Sequence, residues 1–401
     1  MWKWPLLLIF EVFLPLLIFC LQDTLQKPPS LSQKDVRDLL FKRTDHGKEF
    51  ERKSFFVVLP VLGSNPTAGF IYGAGLSFVY RKTIDKRFST VSSNLSYSTK
   101  RLANLNIKSN LFVLNDKLFL NGDWRYYVIT ETTYGLGGSN NSSSQNLRYN
   151  QIRIHETASW ELLPNLFAGI GIHYDYFFNI IDNTAANGDP DKSYHYNYSE
   201  RHGFNPNEYT VSGVSLNFLY DSRDNQINAY QGSYINVNYR INETALGSVK
   251  NSTMLLTDYR SFYSLGSTKG SSVLALWLYG SFVVSGDVPY LLLPAIGFDQ
   301  RQRSGRGYSF GRFRGMDMLY AESEYRFRIS PRSGILGGVI FANLTSTSDK
   351  ENNIYLLNYI QPAYGSGLRI MLDKISRTRL ELDAAVGKGK IGFYFGIRET
   401  F

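Results

Sequence analysis

Apolar and charged positions alternate without a break near the end of the chain. Leu319, Ala321, Ser323, Tyr325, Phe327 and Ile329 fall on one face of an extended segment, and Tyr320, Glu322, Glu324, Arg326 and Arg328 on the other. A period of two predicts a strand. One apolar face opposed to a charged one suits a half-buried soluble strand, and equally a membrane strand between lipid and a wet lumen. Repetition decides between them. Leu166, Ala168, Ile170, Ile172, Tyr174, Tyr176 and Phe178 oppose Gly169, Gly171, His173 and Asp175. Phe70, Tyr72, Ala74, Leu76, Phe78 and Tyr80 oppose Gly69, Gly73, Gly75, Ser77 and Arg81. Leu380, Leu382, Ala384 and Val386 oppose Arg379, Glu381 and Asp383, and Ile391, Phe393, Phe395, Ile397 and Phe401 oppose Tyr394, Gly396 and Arg398. Alternation over about ten residues per segment is the signature of transmembrane strands. Glu399 interrupts the last apolar face, and its nearness to the terminus predicts a place at headgroup depth, where a charge costs little.

From residue 55 onward the pattern predicts sixteen strands in a single antiparallel transmembrane β-barrel. Short connections stand at 115–117, 163–165, 267–270, 331–333 and 373–376, and long ones at 135–146, 180–207, 285–315 and 346–359. Two alternating classes put tight turns on the periplasmic side and long loops outside, and an even strand count leaves both termini in the periplasm. The longest connection carries Gly, Pro and Arg in an order that suits neither helix nor strand, with Arg306-Gly307-Tyr308 near its end.

Composition agrees with this reading. Mean hydropathy is −0.22, which excludes a helical membrane bundle but not a barrel, whose apolar band occupies every second residue. The 28 Tyr and 27 Phe suit interfacial girdles. A single Cys excludes an internal disulfide. The run from Pro5 to Leu21, after Lys3, is short for a spanning helix and predicts a secretory signal over 1–22. A polar leader over 23–54 follows, disordered by default, with one short helical candidate from Lys34 to Arg43 and Ser32 as its N-cap. The net charge of +9 is spread along the chain rather than clustered with aromatics, so nucleic-acid binding is not expected.

Three pieces of the second half resemble the BamA/TamA superfamily of outer-membrane insertases and translocases, which includes the bacterial surface antigens. Tyr220-Asp221-Ser222-Arg223-Asp224-Asn225, with Gly232 beyond, is similar to that family's mid-barrel periplasmic turn. Arg306-Gly307-Tyr308 resembles the tip of its long sixth extracellular loop. Gly365 to Arg369, Leu380 to Ala385 and Gly392 to Gly396, closing on Phe401, resemble its last three strands. The resemblance implies that the sixth loop folds into the lumen and that Arg306 pairs with lumenal acids. Glu322, Glu324, Glu381 and Asp383 are the candidates, which a buried guanidinium needs. Asn343 stands where the family usually carries Asp, so it offers Arg306 a hydrogen-bond acceptor without a charge. About 30 residues between signal and barrel leave no room for a POTRA module, so a barrel-only member is expected.

The function implied is assistance to insertion or translocation of proteins or lipids. A weak seam between the first and last strands would open, with Pro60, Gly392, Gly396 and Phe401 marking it. The alternative is a passive, anion-preferring pore or a surface scaffold, with Arg369, Arg379 and Arg398 as lumenal cations. An enzyme is not expected: no GxSxG is present, and His173 with Asp175 reads as a structural pair. Asp182, Asp189 and Asp191 offer oxygen ligands for Ca²⁺, but at spacings unlike an EF-hand, so a solvated acidic loop is preferred and no metal or cofactor is assigned. Expected partners are outer-membrane lipids and lipopolysaccharide, and a client or periplasmic protein.

Overall fold

Alternation of the kind seen at 319–329 gives a single sheet of sixteen strands, each hydrogen-bonded to the next in sequence and all antiparallel, in the computed structural model of the chain. The structure describes residues 34–36, 38 and 53–401, apart from 66–68, 84, 140–142, 187–191, 267–269, 389 and 398. The first eight strands are β1 (Ser54–Asn65), β2 (Gly69–Tyr80), β3 (Ser89–Ser98), β4 (Ala103–Val113), β5 (Leu118–Thr133), β6 (Gln145–Leu163), β7 (Leu166–Asp182) and β8 (Tyr209–Asp221). The second eight are β9 (Gly232–Asn242), β10 (Ser252–Ser264), β11 (Ser272–Gly286), β12 (Asp317–Arg328), β13 (Leu336–Thr347), β14 (Gln361–Asp373), β15 (Thr378–Gly387) and β16 (Lys390–Ile397). The signal lies outside the described residues, as does most of the leader.

The two faces separate by chemistry. Ile170, Ile172, Leu216, Phe218, Ile340 and Phe393 are more than half exposed, while Asp123, Arg125, Asp175, Glu322, Glu324 and Arg369 are buried. In water such an apolar outer band would be a large exposed patch; around a barrel it is the lipid-facing surface. No helix among the described residues is long and apolar enough to cross a membrane, so the crossing is made by strands.

The connections depart from a simple long–short alternation. The long extracellular loops cluster at β5–β6, β7–β8, β11–β12 and β13–β14, whereas β3–β4 and β15–β16 close as tight hairpins. The turn between β8 and β9, on the periplasmic side, is instead extended, from 222 to 231. In the β7–β8 loop a helix, Tyr194–Arg201, starts where the Ser193 hydroxyl accepts the Tyr196 N–H at 3.0 Å. Tyr198 of this helix packs with Tyr290, Leu291, Phe177 and Tyr209 into a cap inside the extracellular end. A second cluster, around Trp277, Phe262, Tyr320 and Phe401, fills the lumen nearer the periplasm.

Glu399 and Phe401 each correct an expectation. Phe401 does not continue the lipid face of β16 but turns into the lumen, its ring 5.3 Å from Trp277 and 6.2 Å from Phe262. Glu399 likewise sits inside the barrel, not at headgroup depth: Arg369 Nε donates to it at 2.7 Å and Arg379 Nη1 at 3.3 Å. The two-residue parity of a strand holds only while the chain stays in the ladder, and β16 ends at Ile397. At the N-terminal side, Val36 and Asp38 are helical, and Ser32, the expected cap, lies outside the described residues. The Asp35 carboxylate accepts the Asp38 N–H at 3.2 Å, and Lys374 Nζ reaches Asp38 at 3.0 Å.

Candidate functional site

The β11–β12 loop, 287–316, turns back into the lumen because its own residues pair along the way. Ala295 bridges Arg314 as a short antiparallel ribbon. At the tip, Asp299 gathers backbone N–H groups: its carboxylate accepts from Arg301 at 2.9 Å, Arg303 at 3.1 Å and Ser304 at 2.9 Å. Arg306 follows, almost fully buried. Its Nη2 donates to Glu322 Oε1 at 2.5 Å and also to Glu324, and its Nη1 donates to Asp383 Oδ2 at 2.6 Å. The guanidinium carbon lies 3.5 Å from the Phe341 ring centroid. Burial opposes its charge, and Glu322, Glu324 and Asp383 outweigh that and hold Arg306 protonated well above its ordinary range.

These contacts belong to a larger balanced cluster. Arg303, Arg306, Arg326, Arg369 and Arg379 meet Glu322, Glu324, Glu381, Asp383 and Glu399, an equal number of each sign. Glu381, expected beside Arg306, is taken instead by Arg303 at 2.6 Å. Asn343 acts as a donor rather than an acceptor: its Nδ2 gives a hydrogen bond to the Arg306 carbonyl at 3.0 Å. Arg369 and Arg379, expected as cations for an anion path, are ion-paired to Glu399. Arg398 lies outside the described residues.

Next to Arg306, Gly307 has φ +100°, and a Cβ there would meet Ala363 Cβ at 2.8 Å. Its N–H donates to the Tyr394 hydroxyl on β16 at 2.8 Å, and the Tyr308 hydroxyl donates to the Pro362 carbonyl at 2.6 Å. Gly392 and Gly396 also serve this contact. A side chain at Gly392 would meet the Tyr394 hydroxyl at 2.7 Å, and one at Gly396 would meet the Arg303 guanidinium at 2.4 Å. Sequence reasoning overlooked a second lock higher in the loop. Arg314 is fully buried, donating to Glu131 on β5 at 2.5 Å and to the Tyr290 carbonyl at 2.9 Å.

Among the described residues β1 and β16 share no ladder. They flank a cleft of about 620 Å³ lined by Leu59, Pro60 and Val61 on one side and Phe395, Gly396 and Ile397 on the other, with Arg301 and Arg303 behind. Phe401, expected at this seam, is in the lumen. The mid-barrel turn lies elsewhere. Asp221 holds Arg223 through both carboxylate oxygens at 2.8 Å, Asp224 accepts the Tyr230 N–H at 2.9 Å, and Gly232 ends the turn at φ +98°. Of the calcium candidates, Asp182 caps Thr184 N–H at 2.9 Å and binds the Ser193 hydroxyl, and Asp189 and Asp191 lie outside the described residues. Among the described residues no group of three or more His, Cys, Asp or Glu is placed to hold a metal.

A lipid-faced sheet of sixteen strands, with a lumen filled by its own arginine-locked loop, defines an outer-membrane β-barrel distinct from an open porin. The Omp85 superfamily domain matches residues 72–401, and the chain belongs to that superfamily. No curated protein matches the sequence. Among solved structures it is similar to BamA from Haemophilus ducreyi lacking POTRA domains 1–3, with 14% identity and a TM-score of 0.54 over 97% of this chain and 77% of that one. It is also similar to CdiB from Acinetobacter baumannii, with 12% identity and a TM-score of 0.53 over 86% of this chain and 59% of the other. CdiB from Escherichia coli gives 10% identity and a TM-score of 0.54 over 86% and 62%. At these identities the likeness is one of fold, and the chain spans about three fifths of each CdiB chain.

Proposed function

We propose that this protein assists insertion or translocation of proteins at the outer membrane, working at the seam between β1 and β16 without covalent chemistry. The observation that supports this best is the missing ladder between those strands among the described residues, beside a cleft open to both. An unpaired strand edge is a ready template for another chain, and Pro60 and the short β16 keep the seam weak. The locked loop braces the opposite wall of the cleft: Arg303 donates to the Phe395 carbonyl at 2.8 Å and so ties β16 to the lumenal machinery. The filled lumen and the paired state of Arg369 and Arg379 weigh against a standing anion pore. Clients are outer-membrane or surface proteins, delivered by a periplasmic partner.

The test is quantitative proteomics of the outer membrane and cell surface after depletion, rescued by wild type or by Arg306→Ala. Loss of a defined set of barrels or surface proteins, restored by wild type and not by the variant, is the expected result. An unchanged proteome overturns the proposal, and single-channel recording then tests the lumen as a pore.

A further inference from the structure

A periplasmic turn between two strands is normally exposed. The β8–β9 turn is not: Asn225, Ile227, Asn228, Ala229 and Tyr230 are all nearly inaccessible. The reason is where it goes. From half-way round the sheet it crosses the periplasmic mouth to the start of β1 and to the β14–β15 turn, one hairpin in from β16. On the β1 side, Ile227 packs with Phe55, Val79 and Phe88, and Gln226 Oε1 accepts the Phe88 N–H at 3.2 Å. On the other side, Leu372 of β14 and Ile375 of the β14–β15 turn close over the same cluster. There Arg377 Nη1 donates to Asp224 Oδ2 at 2.9 Å, its guanidinium lies 4.0 Å from the Tyr230 ring centroid, and Asn225 Nδ2 donates to the Ser376 carbonyl at 3.3 Å. Between this turn and the tip of the locked loop remains a cavity of about 50 Å³, lined by Arg223, Gln226, Ile227, Gln300 and Arg301.

We infer that the β8–β9 turn is a releasable strap, which holds the two margins of the unpaired seam together at the periplasmic end and shuts the lumen from that side. It rests on the seam being the working face proposed above, and adds what keeps it closed. The strap carries its own release. Both amide atoms of Asn228 are buried without a hydrogen-bond partner among the described residues, and a buried unpaired amide costs free energy that water repays once the turn swings out. Ile227 and Arg377 hold the strap in place, and Asn228 works against them.

Opposed variants test this in the full-length protein reconstituted in lipid vesicles and planar bilayers. Ile227→Ser and Arg377→Gln release the strap. Asn228→Leu, which removes the unpaired amide, tightens it. Hydrogen exchange of 54–60 and channel-opening frequency are the readouts, neither of which depends on clients. The releasing variants are expected to raise both by roughly tenfold or more, the scale of truncating a buried Ile, while exchange in β5–β7 stays unchanged. Asn228→Leu is expected to lower both. Should Ile227→Ser lose its heat-modifiable folded form, Arg377→Lys beside Arg377→Gln takes its place: the lysine, which keeps the charge facing Asp224, raises exchange less than the glutamine. Equal exchange in all variants, or a rise spread evenly over the sheet, overturns the strap. A strap that behaves as expected beside an unchanged surface proteome leaves the gate standing and removes only its proposed clients.

Discussion

Replacing Arg306 by Ala removes the cation shared by Glu322, Glu324 and Asp383 and leaves those carboxylates facing one another in a closed space. Breaking a buried pair by deleting one partner costs about 3–5 kcal/mol, most of it the penalty of the orphaned charge. The stacked contact with Phe341 adds about 1 kcal/mol. The barrel need not unfold to relieve this, because the loop tip can leave and admit water. The loss therefore appears as local opening of about 3 kcal/mol, on the order of a hundredfold in protection. Hydrogen exchange over 299–308 in vesicles, paired with protease nicking of the same stretch, is the assay. A second variant separates charge from shape. Arg306→Ala with Glu324→Gln restores equal numbers of each sign in the cluster, and is expected to recover more than about 1 kcal/mol of the loss. Arg306→Lys recovers less, since one ammonium cannot span carboxylates on β12 and β15 as a fork does. If Arg306→Ala keeps wild-type protection over 299–308, the lock contributes nothing and the reasoning fails.

Gly307→Ala places a Cβ against Ala363 at a φ of +100°, and is expected to loosen the tip by about 1–3 kcal/mol with Arg306 intact, read by the same exchange assay. Phe401→Ala is expected to cost about 3–5 kcal/mol in unfolding free energy and to shift Trp277 emission, because the ring packs on the indole within the lumen; unaltered emission would place the ring elsewhere. In the extracellular cap, burial holds the His195 imidazole down to about 4, with Arg314 adding to this and Asp182, 3.9 Å away, opposing it. A group held neutral in the closed cap and free to protonate in the open one gives stability that is whole above about pH 6.5. It is lost as pH falls toward 4, about 3 kcal/mol in all. Loop proteolysis at 194–202 should rise across that window, and His195→Phe should flatten the dependence.

The sheet was legible because a transmembrane strand writes its two environments into every second residue, as 166–178 and 319–329 do. The partners of Arg306 were legible for a related reason: acids on the lumenal parity of β12 and β15 are the ones a loop inside the barrel can reach. Contacts that follow no period were hidden. Arg314 and Glu131 are 183 residues apart and meet only because the loop crosses the lumen. Asp224 and Asn225 were legible as part of a mid-barrel periplasmic turn through the resemblance, but nothing local says that the turn folds across the mouth. Gly392 and Gly396 were legible as thinly packed positions of a seam, but not as the places where a side chain would meet Tyr394 and Arg303. Parity misled at the terminus, where Glu399 and Phe401 no longer belong to a strand.

The two margins of the seam are not equivalent. β16 is fastened along its length: Tyr394 accepts the Gly307 N–H, Arg303 takes the Phe395 carbonyl, and beyond the strand Arg369 and Arg379 grip Glu399 while Phe401 is held among aromatic rings. Burial raises the Glu399 carboxyl, and Arg369, Arg326 and Arg379 overcome that to bring it down to about 2, so this grip persists at any physiological pH. On the other margin β1 has its ladder to β2 and, at its start, the strap through Phe55. Most long extracellular loops and both arginine locks lie on the β5–β15 part of the sheet, and the β3–β4 hairpin is short. On the proposed function, widening the seam would move β1 with β2 away from a β16 that stays with the lock. On the same proposal, an arriving chain would find its pairing capacity on β1, interrupted at Pro60, because Arg303 already takes the Phe395 carbonyl on the β16 edge.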